Sequence, residues 1–391
     1  MNITFISNYL THHQKPFCDR MASLLGDGFT FVATVPVEQE RLSMGWKQET
    51  GAYLLRAYES DEQQKKAQRL IDNADIAIIG SAPDHLIVPR LKAKKITFKY
   101  AERFYKQGLN WKTFPRAVVG SWLHHGRFQK YPIYLLCASA YTAADAAVFG
   151  SYRDRTYRWG YFPLVKQHSP HALMAKKQLE DRWVSILWAG RLIPWKHPEA
   201  AIYLADTLKE QGYRFRLSLI GSGVMESQLR AIIQEKGLED RVALLGALSP
   251  EQVRCHMEQA EIYLFTSDFH EGWGAVLNEA MNSGCAVVAS HAIGAAPFLI
   301  QDGANGLIYQ NGNQAQLEQR VRQLLEDAPY RRRLGEEAYR TMLEEWNPEV
   351  AADRLLRLGQ ALLDGQEPSR LFARGPCSQA PILKNHWYSR K

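Results

Sequence analysis

Two glutamates frame a pair of glycines in the second half of the chain. The segment reads Glu271-Gly272-Trp273-Gly274, and Glu279 follows in a stretch whose residue types favour a helix. The glycines therefore precede a helix N-terminus, where unpaired backbone N–H groups and the helix dipole attract an anion such as a diphosphate. Because carboxylates accept hydrogen bonds, we expect Glu279 to bind a ribose diol and Glu271 to bind sugar hydroxyls.

Two glycine-containing segments lie upstream, and each follows an apolar run typical of a buried strand. The first run, Ser185 to Ala189, leads into Gly190 and Arg191, with Lys196 shortly after them. The second, Leu217 to Ile220, leads into Gly221-Ser222-Gly223. A third apolar run begins at Val242 and includes Leu244.

These segments, in this order, resemble the retaining, two-domain (GT-B) glycosyltransferases of family 4. That family carries two glutamates at the spacing of Glu271 and Glu279, with a G-F-G-type turn before the second. Trp273 stands in place of the usual Phe, and Ala286 in place of the usual Pro. The resemblance is specific from about residue 183 to 345, whereas the first 165 residues share only the layout.

The resemblance implies a role for each of these residues. Arg191 and Lys196 would hold the donor diphosphate in place of a metal ion and, with Glu271, form the catalytic set. The strand edge at Val242 and Leu244 would lie beside the nucleobase. The residues expected to bind the donor are Gly190, Gly221, Gly223, Val242, Leu244, Gly272, Trp273, Gly274 and Glu279.

The implied reaction moves a sugar from a nucleotide diphosphate sugar, with UDP preferred over GDP, to a hydroxyl of a glycan or lipid-linked acceptor. Configuration is retained, and no cofactor, metal or obligatory protein base is expected. Surface polysaccharide synthesis is the expected setting. Two alternatives remain open: a nucleotide-sugar epimerase of the same architecture, and a relative that only binds the nucleotide sugar.

Other enzyme classes fit the sequence less well. A metal-dependent single-domain transferase would carry a D-x-D motif, which the sequence lacks. A nicotinamide dehydrogenase needs G-x-G-x-x-G after its first strand, but the segment at Gly221 lacks the third glycine and lies in the middle of the chain. Nucleic acid is not an expected partner, because no known binding motif accompanies the basic residues.

Strand-like runs alternate with helical stretches along the whole chain, which predicts an α/β fold with parallel sheets. The resemblance implies two Rossmann-like domains that face a cleft (GT-B), with a C-terminal helix crossing back to the N-terminal domain. We expect an acceptor domain over residues 1–165, a donor domain over 166–345, the crossover helix over 346–365 and a flexible basic tail over 366–391. One further predicted strand is Ala146 to Phe149, after a buried helix.

The N-terminal half departs from the family where an acceptor would bind. The loop after the first strand is not rich in glycine, and the histidine that many relatives carry after the fifth strand is replaced by Glu102 and Arg103. Ligands of open α/β sheets bind beyond the carboxyl ends of the strands. His12, His85, Glu102 and Arg103 are therefore the acceptor-side candidates.

Charge is divided unevenly between the two halves. Residues 1–165 contain 22 Lys and Arg against 14 Asp and Glu (22 − 14 = +8), whereas residues 166–391 contain 26 against 27 (26 − 27 = −1). The basic half and the basic tail could contact anionic lipid, or could be ordinary solvated surfaces. Lysines 92, 94, 95 and 99 form one basic cluster in this half.

Cysteine usage and hydropathy indicate the compartment. The five cysteines are scattered without C-x-x-C spacing, as expected of free thiols in a reducing cytoplasm. The first residues read as a strand instead of a targeting signal, and the longest apolar region, residues 131–150, is interrupted by polar residues. We expect a cytoplasmic protein that can be peripheral on the inner face of the membrane.

Overall fold

The structure of the chain, a computed structural model, describes residues 1–39, 48–106, 108–109, 111–177, 183–368 and 371–388. It contains two compact units. Unit 1 comprises residues 1–164 and 347–384, and unit 2 comprises residues 165–346 and 385–391. Residues 178–182 lie outside the described residues, as do Arg370, Arg390 and Lys391 of the basic tail.

Unit 1 is built on a parallel sheet. Its strands are β1 (Ile3–Ser7), β2 (Phe29–Ala33), β3 (Leu54–Arg56), β4 (Ile76–Ile79), β5 (Ile96–Ala101), β6 (Ile133–Cys137) and β7 (Thr156–Arg158). They lie in the order β3-β2-β1-β4-β5-β6-β7. Every residue of β1 and β4 is buried, which explains why the central strands read as continuous apolar runs.

The predicted strand Ala146 to Phe149 is wrong. The strand of this region is β6, and Ala146 lies in a helix, Thr142–Ala147. A short apolar run does not distinguish a strand from a buried helix by periodicity alone. Alanine favours the helix at 142–147, whereas β6 follows Pro132 and is richer in bulky apolar residues. The next strand, β7, was not predicted.

Helices connect the strands of unit 1. They are α1 (Lys15–Leu25), α2 (Asp61–Asn73), α3 (Val88–Lys92), α4 (Phe114–His124) and α5 (Thr142–Ala147). The start of α2 shows how the sequence sets such boundaries. The Ser60 side chain accepts a hydrogen bond from the Gln63 N–H, and two acidic residues occupy the first turn.

Unit 2 contains a second parallel sheet, of six strands. They are β8 (Val184–Ala189), β9 (Phe215–Ile220), β10 (Val242–Leu244), β11 (Ile262–Phe265), β12 (Ala286–Ser290) and β13 (Leu307–Tyr309), in the order β10-β9-β8-β11-β12-β13. Its helices are α6 (Pro170–Ala175), α7 (Pro198–Glu210), α8 (Glu226–Glu235), α9 (Pro250–Gln259), α10 (Val276–Asn282), α11 (Ala296–Leu299), α12 (Gln314–Glu326) and α13 (Ala328–Glu344). The two parallel Rossmann-like sheets confirm the predicted fold class.

A last helix, α14 (Pro348–Leu363), returns the chain to unit 1. Asn347 starts it, because its side chain accepts a hydrogen bond from the Val350 N–H. The helix packs closely on the sheet: a Cβ added to Gly359 would lie 2.4 Å from the Ile76 Cδ1. It also pairs with α1 through Asp353 and Arg20, 3.5 Å apart. This contact confirms the predicted return of the C-terminal helix.

The basic tail contacts both units in turn. The Arg158 N–H donates to the Ser378 carbonyl, and the Cys377 N–H donates to the Arg158 carbonyl, so the tail adds backbone pairing to the edge strand β7. In unit 2, the Tyr388 hydroxyl donates to the Ile308 carbonyl over 2.6 Å. The described part of the tail is thus held by backbone pairing at an edge strand and by a side-chain hydrogen bond, and its flexibility stays a prediction.

A buried histidine, His125, and a half-buried one, His13, should make unit 1 sensitive to acid. Burial lowers the pKa of both His13 and His125 to about 3. The neighbouring His12 adds to this effect at His13, and the charge of Lys99 adds to it at His125. The His125 ring stacks on Phe104 with 4.1 Å between centroids, and its Nδ1 lies 3.0 Å from the Tyr152 hydroxyl. The unfolded chain therefore binds more protons than the folded chain between pH 6.5 and 3.

We expect the free energy of unfolding to decrease as the pH falls below about 6.5. His125→Phe keeps the stacked ring but cannot titrate, so it should reduce this dependence by about 1.4 kcal/mol per pH unit. Denaturant unfolding from pH 7 to pH 5 measures the slopes, and the exposed His171→Phe serves as control. Equal slopes in the wild type and His125→Phe would contradict the prediction.

Candidate donor site of unit 2

The loops after three central strands of unit 2 carry the predicted donor residues. Strand β8 lies between β9 and β11, and each ends at the same edge of the parallel sheet. Residues 190–197 follow β8, residues 221–225 follow β9 and residues 266–275 follow β11. This is the edge where open α/β sheets bind ligands.

The glycines of the first two loops allow their backbones to touch. A Cβ at Gly221 would lie 1.8 Å from the Gly190 carbonyl oxygen, and one at Gly223 would lie 2.4 Å from the Leu192 carbonyl oxygen. Backbone hydrogen bonds join the loops: the Leu192 N–H donates to the Ser222 carbonyl over 2.8 Å. Gly221 and Gly223 therefore fix the path of residues 190–196.

The loop after β8 is also tied to the loop after β11. Thr266 donates its hydroxyl hydrogen to the Lys196 carbonyl over 2.7 Å and accepts a hydrogen bond from the Trp188 indole N–H at 2.9 Å. The Asp268 N–H donates to the Trp195 carbonyl over 3.0 Å. The two loops thus form one hydrogen-bonded unit in which residues 196 and 271 have fixed positions.

Lys196 and Glu271 form an ion pair in this unit. The Lys196 Nζ lies 2.6 Å from the Glu271 Oε2, and both side chains are only 12% exposed. Ser267 donates a second hydrogen bond to the same carboxylate oxygen over 3.0 Å. The structure therefore brings together the predicted phosphate-binding cation and the predicted sugar-binding carboxylate.

Arg191 is exposed at the mouth of the same loop. Its guanidinium carbon lies 5.7 Å from the centre of the Trp195 ring, and the Lys196 Nζ lies 4.8 Å from the same ring centre. Among the described residues, Arg191 has no ion-pair partner. Its positive charge is available to a ligand anion.

Trp273 and Gly274 have structural roles in the loop after β11. Trp273 is fully buried against Phe298 and Trp346, and its indole N–H donates to the Asn278 side-chain oxygen over 2.9 Å. Gly274 has φ +88°, and an added Cβ would lie 2.6 Å from the Phe265 ring. Gly272 is buried between these groups. Trp273 carries the one side chain of residues 272–274, and that side chain is buried in unit 2.

Glu279 lies in α10 and is half-buried. Burial raises the pKa of its carboxyl, while the charge of Arg254 acts in the opposite direction. The Arg254 guanidinium bonds the Glu279 backbone carbonyl over 2.9 Å and not the carboxylate. No hydrogen-bond donor to the Glu279 carboxylate occurs in the described part of the chain. The Glu279 carboxylate can therefore accept hydrogen bonds from a hydroxyl ligand.

A polar network behind Glu279 was not predicted from the sequence. Arg254 also contacts the Asn282 side-chain oxygen at 2.5 Å, and Asn282 exchanges hydrogen bonds with the backbone of Lys166. Glu258 pairs with Lys166 over 2.9 Å. These residues come from separate parts of the sequence, so no local spacing pattern identifies them.

A second unpredicted group surrounds Asp268. Its carboxylate accepts from the His270 N–H at 2.8 Å and lies 3.4 Å from the His197 Nε2. The hydrogen bond to Glu199 raises the pKa of His197. Burial acts in the opposite direction, and the charges of Glu199 and Asp268 add to the increase. A raised pKa favours the protonated form of His197, which adjoins Lys196 in the chain.

The predicted base-binding positions lie on an edge strand. Val242 is buried and Leu244 half-buried in β10, which pairs with β9. The Gly221 N–H donates to the Gly246 carbonyl over 2.8 Å. The segment just after β10 therefore contacts the loop that follows β9. A base at this edge would meet backbone groups more than side chains.

The acceptor-side candidates lie in unit 1, after adjacent strands. His12 follows β1, the exposed His85 follows β4 and Glu102 follows β5. The Glu102 carboxylate accepts hydrogen bonds from the Tyr161 hydroxyl at 2.9 Å and from the Lys106 Nζ at 2.6 Å. The carboxyl ends of these three strands meet at one edge of the sheet.

Arg103 points into unit 1. It is 6% exposed, and its guanidinium lies 3.2 Å from the Asp145 carboxylate. Asp145 also accepts hydrogen bonds from the backbone N–H groups of Phe104 and Tyr105. These contacts favour a structural role for Arg103, which holds the turn after β5.

The described residues contain neither a cluster of metal ligands nor a membrane-spanning helix. Within the described residues, no group of three or more His, Cys, Asp or Glu side chains has an arrangement suited to a metal ion. In the same part of the chain, no helix has both the length and the apolar character needed to cross a bilayer.

Comparison with known proteins identifies the second half of the chain. Residues 172–341 match the family model of glycosyl transferases group 1. The alpha-D-kanosaminyltransferase of Streptomyces kanamyceticus is 28% identical over 177 residues, which cover 45% of each chain. An alpha-N-acetylgalactosaminyltransferase of Campylobacter jejuni that acts on a diphospho-undecaprenol glycan is 32% identical, over 41% of this chain and 43% of its own. The matches thus span less than half the length of these relatives.

Solved structures match over nearly the whole chain. The Anabaena protein HepE, crystallised with UDP, has a TM-score of 0.67 at 16% identity and covers 92% of this chain and 100% of its own. Sucrose-phosphate synthase of Thermosynechococcus elongatus has a TM-score of 0.65 at 17% identity, covering 94% and 100%. At this identity the likeness shows the fold, which is GT-B.

Gly274→Ala tests whether the turn after β11 has room for a side chain at this position. Both Gly274 and Gly212 have positive φ, but an added Cβ at Gly212 meets no atom within 4 Å. Gly212→Ala should cost about 1 kcal/mol from backbone strain. Gly274→Ala should cost about 1–3 kcal/mol more, because the methyl group overlaps the Phe265 ring. Thermal unfolding measures both variants, and equal losses would exclude the steric explanation.

Proposed function

We propose that this chain, whose residues 172–341 match the family model of glycosyl transferases group 1, transfers a sugar from a nucleotide diphosphate sugar to a hydroxyl of a glycan or lipid-linked acceptor, with retention of configuration. One observation carries the donor assignment. The Glu279 carboxylate is half-buried without a donor among the described residues, on the sheet edge that also holds the Lys196–Glu271 ion pair. The Glu279 carboxylate thus lacks a partner that the ribose of a nucleotide sugar would supply.

Arg191 and Lys196 are the proposed diphosphate ligands. Arg191 is exposed and has a planar guanidinium suited to bidentate phosphate contacts. Lys196 is already paired with Glu271, so the incoming diphosphate must share the ammonium group or displace the carboxylate. Because an ammonium group has three donors, Lys196 can contact both anions if Glu271 remains in place.

Glu271 and Glu279 are the proposed hydroxyl acceptors. Glu271 is oriented by Lys196 and Ser267, which together occupy one of its oxygens and leave the other for a sugar hydroxyl. Glu279 would accept from the ribose diol, which would compensate for its burial. Val242 and Leu244 would flank the nucleobase at the edge of the sheet.

The proposed catalysis is electrostatic. When the glycosidic bond breaks, the leaving diphosphate gains negative charge, and groups already aimed at it stabilise the transition state without reorganisation. Arg191, Lys196 and the backbone N–H groups of residues 272–274 would supply that stabilisation, so we propose a metal-independent reaction. The leaving phosphate oxygen would accept the proton of the acceptor hydroxyl on the same face of the sugar.

UDP is the proposed nucleotide, and its support is indirect. HepE, which shares the fold, was crystallised with UDP. A lipid-linked acceptor is supported by the undecaprenol acceptor in the Campylobacter relative's name. A role in surface polysaccharide synthesis is supported by a putative colanic acid biosynthesis glycosyltransferase of Escherichia coli, 32% identical over 35% of each chain. We place the enzyme at the inner face of a membrane on these grounds.

Nucleotide binding is the first test. We expect UDP, or else GDP, to raise the thermal midpoint by a few degrees without magnesium, whereas NAD should have no effect. Glu279→Gln should remove most of the gain, because an amide offers only one acceptor oxygen to the ribose diol. The exposed Glu235→Gln is the matched control. A shift with NAD alone, or with neither UDP nor GDP, would refute the donor site.

The ion pair predicts opposite effects for its two members. Lys196→Ala should weaken UDP binding by roughly tenfold, since a charge-assisted contact is lost. Glu271→Gln should leave UDP binding unchanged or tighter, because Lys196 is no longer neutralised, yet it should lower kcat with the sugar donor. Calorimetry with UDP and turnover with UDP-sugars separate the two effects. Equal weakening of UDP binding in both variants would mean that the pair is only structural.

Turnover also distinguishes the alternatives to a transferase. Release of UDP that depends on an added glycan or lipid-linked acceptor indicates transfer. Conversion of one nucleotide sugar into its epimer, with the nucleotide retained, indicates an epimerase. Binding without either reaction, across a panel of donors and acceptors, indicates a binding protein.

A further inference from the structure

Helix α4 of unit 1 exposes an unusually apolar surface. In this helix of 11 residues, only Ser121 is buried. Val119 is 58% exposed and Trp122 60% exposed, and Trp111, in the turn before the helix, is 81% exposed. The exposed large apolar residues of this segment are Trp111, Phe114, Val118, Val119, Trp122 and Leu123.

These side chains share one face. Trp111, Phe114, Val118 and Trp122 recur at intervals of three or four residues, the spacing of a helical stripe. The face extends beyond the helix, because the Phe114 ring lies 5.8 Å from the Phe149 ring. Isolated exposed apolar residues are normal, but a contiguous patch marks an interaction surface.

Positive charge surrounds the apolar face. Lys112, Arg116, Arg127 and Lys130 are exposed around it, and the sequence contains no Asp or Glu between Glu102 and Asp145. The Lys112 ammonium lies 5.2 Å from the Trp111 ring centre, and the Lys130 ammonium lies 5.2 Å from the Tyr131 ring centre. A partner for this surface must therefore be both apolar and anionic.

We propose that this face, residues 111–130, docks the protein on a membrane that contains anionic lipid. Helices with a tryptophan-rich apolar face and flanking Lys and Arg lie in the bilayer interface, where the rings enter the acyl boundary and the cations meet the headgroups. The helix is too short to span, which agrees with the absence of a spanning helix among the described residues.

The position of this face indicates how a membrane-bound acceptor could reach unit 1. Helix α4 follows the loop that leaves the carboxyl end of β5, where Glu102 lies. Docking through α4 would hold that edge of unit 1 near the membrane surface, where a lipid-linked hydroxyl acceptor is presented. This consequence rests on the proposed transferase function, whereas the docking itself does not.

The basic cluster predicted at lysines 92–99 is a weaker surface for the same role. Lys99 is buried and pairs with Asp84 at 2.7 Å, and Lys95 bonds the Asp72 carbonyl. Only Lys92 and Lys94 are exposed there, and no exposed large apolar residue adjoins them in sequence. Charge without an apolar face gives only salt-sensitive attraction.

Co-sedimentation of the full chain with lipid vesicles tests the proposal. We expect binding to vesicles of phosphatidylcholine mixed with phosphatidylglycerol, and much weaker binding to phosphatidylcholine alone. The double variant Val119→Ser/Trp122→Ser keeps every charge but should lower vesicle affinity by roughly tenfold or more, because buried apolar area is lost. Val35→Ser, at an exposed apolar residue of unit 1 outside both this face and the basic tail, is the matched control.

A second pair of variants separates local charge from net charge. Lys112→Gln/Arg116→Gln should weaken binding to anionic vesicles, whereas Lys65→Gln/Lys66→Gln on α2 removes the same net charge and should not. Because all these side chains are exposed, thermal midpoints and the UDP shift should match the wild type. That result keeps a failure of docking distinct from a failure of the donor site.

Two outcomes would overturn membrane docking. Vesicle binding that is unaffected by Val119→Ser/Trp122→Ser would place the contact elsewhere. Absence of vesicle binding, together with dimers in light scattering that the same variant dissociates, would show that a second copy of the chain covers the face. Increased Trp emission at shorter wavelength on adding anionic vesicles, reduced in Trp122→Phe, would support insertion of the ring.

Discussion

Backbone contact between neighbouring loops fixes the candidate donor site. The loops after β8 and β9 approach so closely that no side chain fits at Gly221 or Gly223, and they exchange hydrogen bonds at Leu192. This contact determines where Lys196 lies, because it leaves little freedom to the short segment that follows Leu192. The ion pair with Glu271 forms in turn because Thr266 ties that segment to β11. Gly221 and Gly223 have the residue type of phosphate-binding glycines, but their visible effect is to let two loops pack together.

The sequence predicts the parallel sheets and the residues at the ends of their strands, because apolar runs and glycine turns are local signals. Ala146 to Phe149 shows where local signals fail: alanine-rich apolar segments suit both a strand and a buried helix. The network of Arg254 and Asn282 could not be predicted, since its members meet only after folding. Arg103 has the residue type of a ligand-binding group, but its partner Asp145 is distant in sequence.

Trp273 illustrates how a departure from a family pattern can leave a site intact. A tryptophan in place of phenylalanine adds volume and an indole N–H, and both are accommodated inside unit 2. Phe298 and Trp346 contact the ring, and Asn278 accepts the N–H. Since the side chain points away from the ligand position, the substitution changes the core and leaves the backbone of the turn available.

The candidate donor site combines a paired carboxylate, Glu271, with one, Glu279, that has no hydrogen-bond donor among the described residues. Glu271 is neutralised by Lys196 and keeps its geometry without a ligand, whereas Glu279 lies in a half-buried position with its carboxylate unpaired among the described residues. Arg254 lowers the cost of that burial through its charge but donates its hydrogen bonds to other acceptors. A bound ribose diol, as proposed, would give the Glu279 carboxylate a hydrogen-bond donor that the described residues do not supply. The same gain is smaller at Glu271, where a sugar hydroxyl joins an existing network. Nucleotide affinity should accordingly depend more on Glu279, and the choice of sugar more on Glu271.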